Sequence, residues 1–377
     1  MARHTWSALA QRPAPLCLFP FQLDEDYDID HVSGIFKAGF DAAKQRLPAM
    51  GSEAVPAPET KQAGVLKLQK IAEGDMELIT IKDLRAGRAL FSMTFAELKS
   101  RNFPVSAFEA AKICPRSVWP MPGDRLPLSL TQLNFIQGGV IMGWKTYYTW
   151  SQVWAEECRR AQGEEILNPI HLPDQIFAHR AQISKASGRN AGRVKDHPEY
   201  LVLPCKESPR RVHRPRCYPT RTAAKSFTSH GRPLNAPKAE AAPGNATNPS
   251  PTDPGYTSTN DALSALLWRT VMAVQNPVES LGAAADPVSA FALAIDGRSR
   301  TNPPWVEFRI YDVSWGKALG EKVHAVRSPE VAVINGCQVT FPAPVQGGLE
   351  VLVGVEENCL EKLLHDPLWN RFATAIV

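Results

Sequence analysis

The side chains best suited to acid–base work in this 377-residue chain are nine histidines: His4, His31, His171, His179, His197, His213, His230, His324 and His365. An imidazole titrates near neutrality, so one held beside a substrate hydroxyl can take its proton and make a poor nucleophile reactive. His31 opens a helical pattern, His213 and His230 fall in a stretch without periodicity, and His365 sits in the last helical pattern. His171, in "NPIHLPD", follows the helical pattern "KTYYTWSQVWAEECRRAQ" and is the one candidate base, although a lone histidine more often serves structure. Seven cysteines (Cys17, Cys114, Cys158, Cys205, Cys217, Cys337, Cys359) are scattered, with no pair at metal-ligand spacing. They are expected to be small core residues in a reducing compartment, and no metal centre is expected. A pentapeptide "DVSWG", Asp312 to Gly316, reads as an acidic strand end, a buried indole and a glycine turn.

The elements that must position these groups are mixed. "DHVSGIFKAGFDAAKQRLP" places Val32, Ile35, Phe36, Phe40, Ala43 and Leu47 at helical spacing, and Pro48 stops the helix. "GVLKLQKI" and "MELITIKDL" alternate like half-buried strands, and "TFAELKSRNFP" reads as a short amphipathic helix. "LTQLNFIQGGVIMG" reads as one strand containing a glycine pair, with Gly143 to Lys145 turning directly into the next helix. On that helix Tyr147, Trp150, Trp154 and Cys158 share an apolar face, while Glu156, Arg159 and Arg160 are expected to turn away. Later, "TSTNDALSALLWRTVMAVQ" offers Ser258 or Thr259 as a cap and an apolar stripe of Leu263, Leu267, Val271 and Val274. "FALAIDGR", "WVEFRIYDV" and "GGLEVLVGV" read as strands, and "ENCLEKLLHDPLWNRFA" as a closing helix.

Charge narrows the partners. The net +4 is concentrated: residues 181–240 hold 13 Lys/Arg against 4 Asp/Glu, so the remainder of the chain is net negative. That basic stretch is rich in proline and poor in aromatics, which excludes a folded nucleic-acid face. With 44% hydrophobic and 21% charged residues the composition is that of a soluble globular protein. The apolar run "VSAFALAI", Val288 to Ile295, is too short to span a bilayer, and the first residues lack a signal-peptide pattern. A cytoplasmic monomer with no membrane or nucleic-acid partner is expected. The expected organisation is an N-terminal domain over 1–185, a Pro/Arg-rich crossover over 186–255 with no fixed structure, and a C-terminal domain over 256–377.

Six segments in order, "LNFIQGGVIMG", "WAEECRR", "STNDALSALLW", "AIDGRSRTNPP", "YDVSWGKALG" and "GGLEVLVGVEENCLEKLLHDPLWNRF", resemble the BAHD-type acyl-CoA-dependent acyltransferases, especially the fungal trichothecene O-acetyltransferase branch. The resemblance implies an α/β (α+β) chloramphenicol-acetyltransferase-like fold of two domains joined by a long crossover. It further implies acyl-CoA, with acetyl-CoA the expected donor, as co-substrate rather than a permanently bound cofactor, and a small-molecule alcohol as acceptor. A histidine in an H-x-x-x-D motif would be the base. In such proteins that motif lies between the "GGVIMG" strand and the "WAEECRR" helix, where this chain has neither His nor Asp from Val140 to Ser151. The resemblance therefore identifies no catalytic residue, with His171 the only substitute considered. Asp312, Trp315 and Gly316 match the family's structural D-F-G-W-G loop, and Lys317 is a candidate for the cofactor's phosphates. After Pro304 the chain passes at once to "WVEFRIYDVSWG", so the C-terminal domain is expected to be truncated. Two expectations follow: an O-acyltransferase of fungal secondary metabolites, or an inactive homologue or mis-spliced gene product with a binding role or none.

Overall fold

The computed structural model describes residues 16–57, 66–87, 90–116, 123–145, 148–172, 222–229, 235–247, 255–277, 309–329, 335–342, 344 and 347–376. In its first half, strand β1 (Leu16–Gln22) leads to helix α1 (Ile29–Arg46), whose N-terminus is capped by Asp28 accepting from Asp30 N–H. The ribbon β2 (Ser52–Pro56) and β3 (Leu66–Lys70) follows, then β4 (Ile79–Asp83), the short helices α2 (Phe95–Ser100) and α3 (Ala110–Ile113), and strands β5 (Thr131–Ile136) and β6 (Gly139–Lys145). Helix α4 (Tyr148–Ala161) closes this half. The first sheet runs β1-β6-β5-β4, antiparallel except for the parallel β4–β5 pair.

The stretch expected to be a single strand is thus a hairpin. Gln137 and Gly138 make its turn, and Gly138 has a left-handed φ of 76° that favours glycine there. Strand β6 also runs further than expected. Gly143 and Trp144 are paired with Gln132 and Thr131, so they belong to the ladder and not to a turn. The turn into α4 falls at residues 146–147, outside the described residues, as does Tyr147.

One face of this sheet carries Phe19, Phe21, Leu133, Phe135, Val140, Met142 and Trp144, covered by α1 and α4. The two helices approach closely because Gly39 leaves room: a Cβ there would meet the Cys158 backbone N and Cα at 2.8 and 2.9 Å. Trp154 fills the angle between them. Its ring lies 4.6 Å from Trp144 and 5.0 Å from Phe40, and its Nε1 donates to the Phe36 carbonyl at 3.0 Å. Burial of one such large side chain contributes about 1.5–3 kcal/mol. The opposite face, with Leu18, Ile136 and Ile141, packs on Phe95, Phe103 and Phe108 from the α2–α3 region.

The second half holds β7 (Thr222–Thr228), α5 (Asn235–Glu240), α6 (Thr259–Gln275), β8 (Gln338–Thr340), β9 (Glu350–Glu356), the short helices α7 (Leu360–Leu364) and α8 (Trp369–Phe372), and β10 (Thr374–Ala375). The second sheet is antiparallel, in the order β10-β7-β9-β8. Strand alternation sends Val351, Val353 and Val355 to a core with Leu267, Val271 and Trp369, and Leu352 to the core of the first half. Ser258 caps α6 in a reciprocal box with Asp261.

Four expectations need correction here. Residues 222–228, inside the supposedly unstructured 186–255, form a strand paired along its whole length with β9. The C-terminal end of the expected strand 305–313 is a 3₁₀ turn over Ile310–Asp312. The closing helix is broken into α7 and α8, separated by the Asp366–Pro367 step, because proline cannot continue the helical hydrogen bonds. Glu156 is 1% exposed and faces inward, for the reason given below. The expected strand "FALAIDGR" and the abrupt junction after Pro304 lie outside the described residues.

Candidate functional site

Helix α4 carries the candidate site on two of its flanks. On one, the carboxylates of Glu156 and Glu157 are drawn inward by Arg46 at the end of α1. Arg46 Nη1 donates to Glu156 Oε1 at 2.7 Å and to Glu157 Oε1 at 2.6 Å, and Arg160 contacts both carboxylates from the solvent side. Burial opposes the charge of Arg46, but the hydrogen bonds it donates to Glu157 and Glu156 outweigh it and hold the guanidinium above its ordinary value. The same network grips the chain beyond the helix: Ile170 N–H donates to Glu156 Oε2 at 2.7 Å, and the Ile170 carbonyl accepts from Arg46 Nη2. His171 is therefore anchored through its neighbour, yet its own ring is exposed.

At the C-terminal end of α4, Gln162 holds the loop that contains Asp312, Trp315 and Gly316. Its Nε2 donates to the Trp315 carbonyl at 2.7 Å and its Oε1 accepts from Ala318 N–H at 2.9 Å. Gly316 has φ 88°, and a Cβ there would strike the Gln162 amide, so both backbone angle and space require glycine. Trp315 is 1% exposed and stands edge-on to Phe21 and Trp154 at 5.3 and 5.6 Å. Its indole is thus part of the core between α1, α4 and β1, as the sequence suggests. Asp312 and Lys317 are exposed. Asp312 lies near Tyr148, the first residue of α4, whose phenol is pushed up by burial and then by the Asp312 charge.

These groups do not assemble into an acid–base pair. Among the described residues no hydrogen bond, ion pair or ring contact joins His171 to Asp312 or Lys317. Of the other described histidines, His31 is exposed, and exposed His365 places Nδ1 2.8 Å from the Glu361 carbonyl. His324 is half-buried, edge-on to Phe95 at 5.3 Å, and is held below its usual range by burial and by Lys99. His4, His179, His197, His213 and His230 lie outside the described residues. Among the described cysteines, Cys17 and Cys114 are buried and burial pushes each thiol up to about 12, while Cys205 and Cys217 lie outside the described residues. No group of three metal-binding side chains occurs among the described residues, and no described helix is long and apolar enough to cross a membrane.

Sequence reasoning missed Arg46, Glu156, Gln162 and Tyr148. Glu156 of "WAEECRR" looked solvated because its cationic partner is 110 positions away. The one available signal was Arg46, which follows directly on an apolar helical stripe.

Comparison with known proteins places this arrangement. Residues 15–150 match the model of the trichothecene 3-O-acetyltransferase-like N-terminal domain. The chain is 25% identical over 266 residues to the enoyl-CoA isomerase/hydratase claC of Penicillium crustosum, covering 67% of this chain and 28% of that protein. It is 24% identical over 330 residues to the acyltransferase cm3D of Cordyceps militaris, covering 81% of this chain and 65% of that one. The chain thus spans less than two thirds of the length of these curated relatives. Among solved structures, F. graminearum TRI101 complexed with coenzyme A and deoxynivalenol superposes with a TM-score of 0.71 at 16% identity, over 97% of this chain and 96% of that one. F. sporotrichioides TRI101 complexed with coenzyme A and T-2 gives 0.70 at 15% identity, over 98% of each chain. At these identities the likeness establishes a shared fold.

Proposed function

We propose, for a chain whose residues 15–150 are a trichothecene 3-O-acetyltransferase-like domain on a BAHD-type fungal acyltransferase fold, that its scaffold serves acyl-CoA-dependent O-acylation of a secondary-metabolite hydroxyl. The observation that carries the reading is the match of 15–150 together with a fold shared along almost the whole chain. Acetyl-CoA is the expected donor, by analogy with TRI101 complexed with coenzyme A, and a small alcohol is the acceptor. The protein would act as a cytoplasmic monomer. In the reaction the alcohol oxygen attacks the thioester carbonyl, the C–S bond breaks, and the hydroxyl proton must leave as the new C–O bond forms. Asp312, Trp315 and Gly316 would act by holding the loop at the end of α4, and Lys317 would face the donor's phosphates.

A specific observation favours a second reading, a non-catalytic binding homologue. Only two residues separate β6 from α4, and the sequence has no histidine between His31 and His171. Loss of general-base help costs on the order of 10²–10⁴-fold in rate, leaving positioning alone. Two measurements divide the readings: release of free thiol from acetyl-CoA with polyhydroxylated terpenoid acceptors, and calorimetric titration of coenzyme A. Turnover abolished by His171→Ala would support the enzyme and assign its base. Coenzyme A binding with no thiol release above background would support the binding homologue. Neither binding nor turnover would refute both.

A further inference from the structure

The two sheets meet through a polar construction that the acyltransferase reading does not use. After the turn at Gly320, residues 323–327 lie against the free edge of β1. Leu18 N–H donates to the Arg327 carbonyl at 2.8 Å, Arg327 N–H to the Leu18 carbonyl at 3.0 Å, and His324 N–H to the Pro20 carbonyl at 2.9 Å. The bridges Leu18–Arg327 and Phe21–Val323 bracket three steps on β1 and four on the crossing segment, so the segment carries a bulge. Its side chain Arg327 is 1% exposed and reaches β9 of the second sheet, where Nη1 and Nη2 donate to Glu350 Oε2 and Oε1 at 2.6 and 3.1 Å.

The remaining donors are satisfied as fully. Nε donates to the Phe103 carbonyl at 2.9 Å, Nη2 to the Asn102 carbonyl at 2.9 Å, and Nη1 to the Val326 carbonyl at 2.8 Å. Asn102 Nδ2 completes the site by donating to Glu350 Oε1 at 3.2 Å. Asn102 and Phe103 hold φ of 54° and 52°, a left-handed pair that is unfavourable for a phenylalanine and persists only where surroundings impose it. Here the imposing group is the guanidinium, which needs both carbonyls turned toward it. Among the described residues no other ion pair has both side chains under 5% exposed.

We propose that Arg327, Glu350 and the Asn102–Phe103 turn form a latch that locks the second sheet to the first, so that the two sheets cannot separate without breaking this buried ion pair. Apolar contact also joins the halves through Leu352, but that contact can slide, whereas a bidentate fork has one geometry. Removing one partner leaves a buried charge uncompensated, so the join should yield before either sheet does.

Native-state amide exchange on the full chain tests this. In the unsubstituted protein, amides of β7 and β9 and those of β5 and β6 should share one opening event. Glu350→Gln should raise exchange in β7 and β9 at least tenfold while changing β5 and β6 less than threefold. Arg327→Lys, which keeps the charge but loses the fork, should give the same pattern more weakly, and it decides the matter if Glu350→Gln does not fold. Equal acceleration in both sheets, or none in β7 and β9, would overturn the latch.

Discussion

Replacing Arg46 by methionine tests how α4 and the segment bearing His171 are held. The change removes the donors that reach Glu156 and Glu157 at 2.7 and 2.6 Å and the bond to the Ile170 carbonyl, while keeping most of the aliphatic stem. The two carboxylates, 1% and 7% exposed, are left with Arg160, itself 40% exposed, as their remaining cation, while Glu156 keeps the Ile170 N–H. Breaking a fully buried pair costs about 3–5 kcal/mol, and Arg46 is 24% exposed with a second cation nearby, which lowers the expectation to about 2–3 kcal/mol. For a chain of 377 residues that is a fall in melting temperature of roughly 2–4 °C. Urea unfolding followed by tryptophan fluorescence measures it, since Trp154 lies on the same helix. Limited proteolysis adds a local readout: cleavage between Gly163 and His171 should quicken, because Ile170 then keeps only its bond to Glu156. A loss below about 0.5 kcal/mol with unchanged cleavage would refute the reasoning and reduce the network to a solvated surface cluster.

Gly39→Ala should destabilise by about 1–3 kcal/mol in thermal melts despite alanine's better helix propensity, because the added methyl meets backbone of Cys158 that cannot rotate away. Trp315→Ala should cost about 3–5 kcal/mol in urea unfolding, having emptied a site between Phe21, Phe36 and Trp154. For His324 the folded pKa is depressed, so the unfolded chain binds its proton first. Stability from this group is present above the unfolded value near 6.5 and is lost as pH falls through the folded one. Melts of His324→Gln between pH 7 and 5 should show a shallower decline than the parent protein, and parallel curves would refute it.

Much of the architecture is legible in the chain. The stripe of α1, the alternation of β9 and the Ser258–Asp261 cap are local patterns whose meaning depends on residues a few positions apart. The hairpin of β5 and β6 was hidden because both strands are buried on each face, polar Thr131, Gln132 and Asn134 included, so no inside–outside alternation marks where one strand ends. Strand β7, "TAAKSFT", has only Phe227 and Ser226 buried, and its β character comes from pairing with β9, more than a hundred residues later. The candidate site divides in the same way. Trp315 and Gly316 declare a core indole and a turn by type, whereas the roles of Glu156 and Arg327 depend on partners distant in sequence, so their burial carries no local mark.

The short passage from β6 to α4 fixes what mutation can do here. Trp144 is held in the ladder with its Nε1 donating to Ser129 Oγ at 2.8 Å, and Trp150 is buried in the first turn of the helix, so both ends of the passage are packed. Two residues reach at most about 7 Å. No exchange of one amino acid for another lengthens that span, so a longer loop at this junction takes inserted residues.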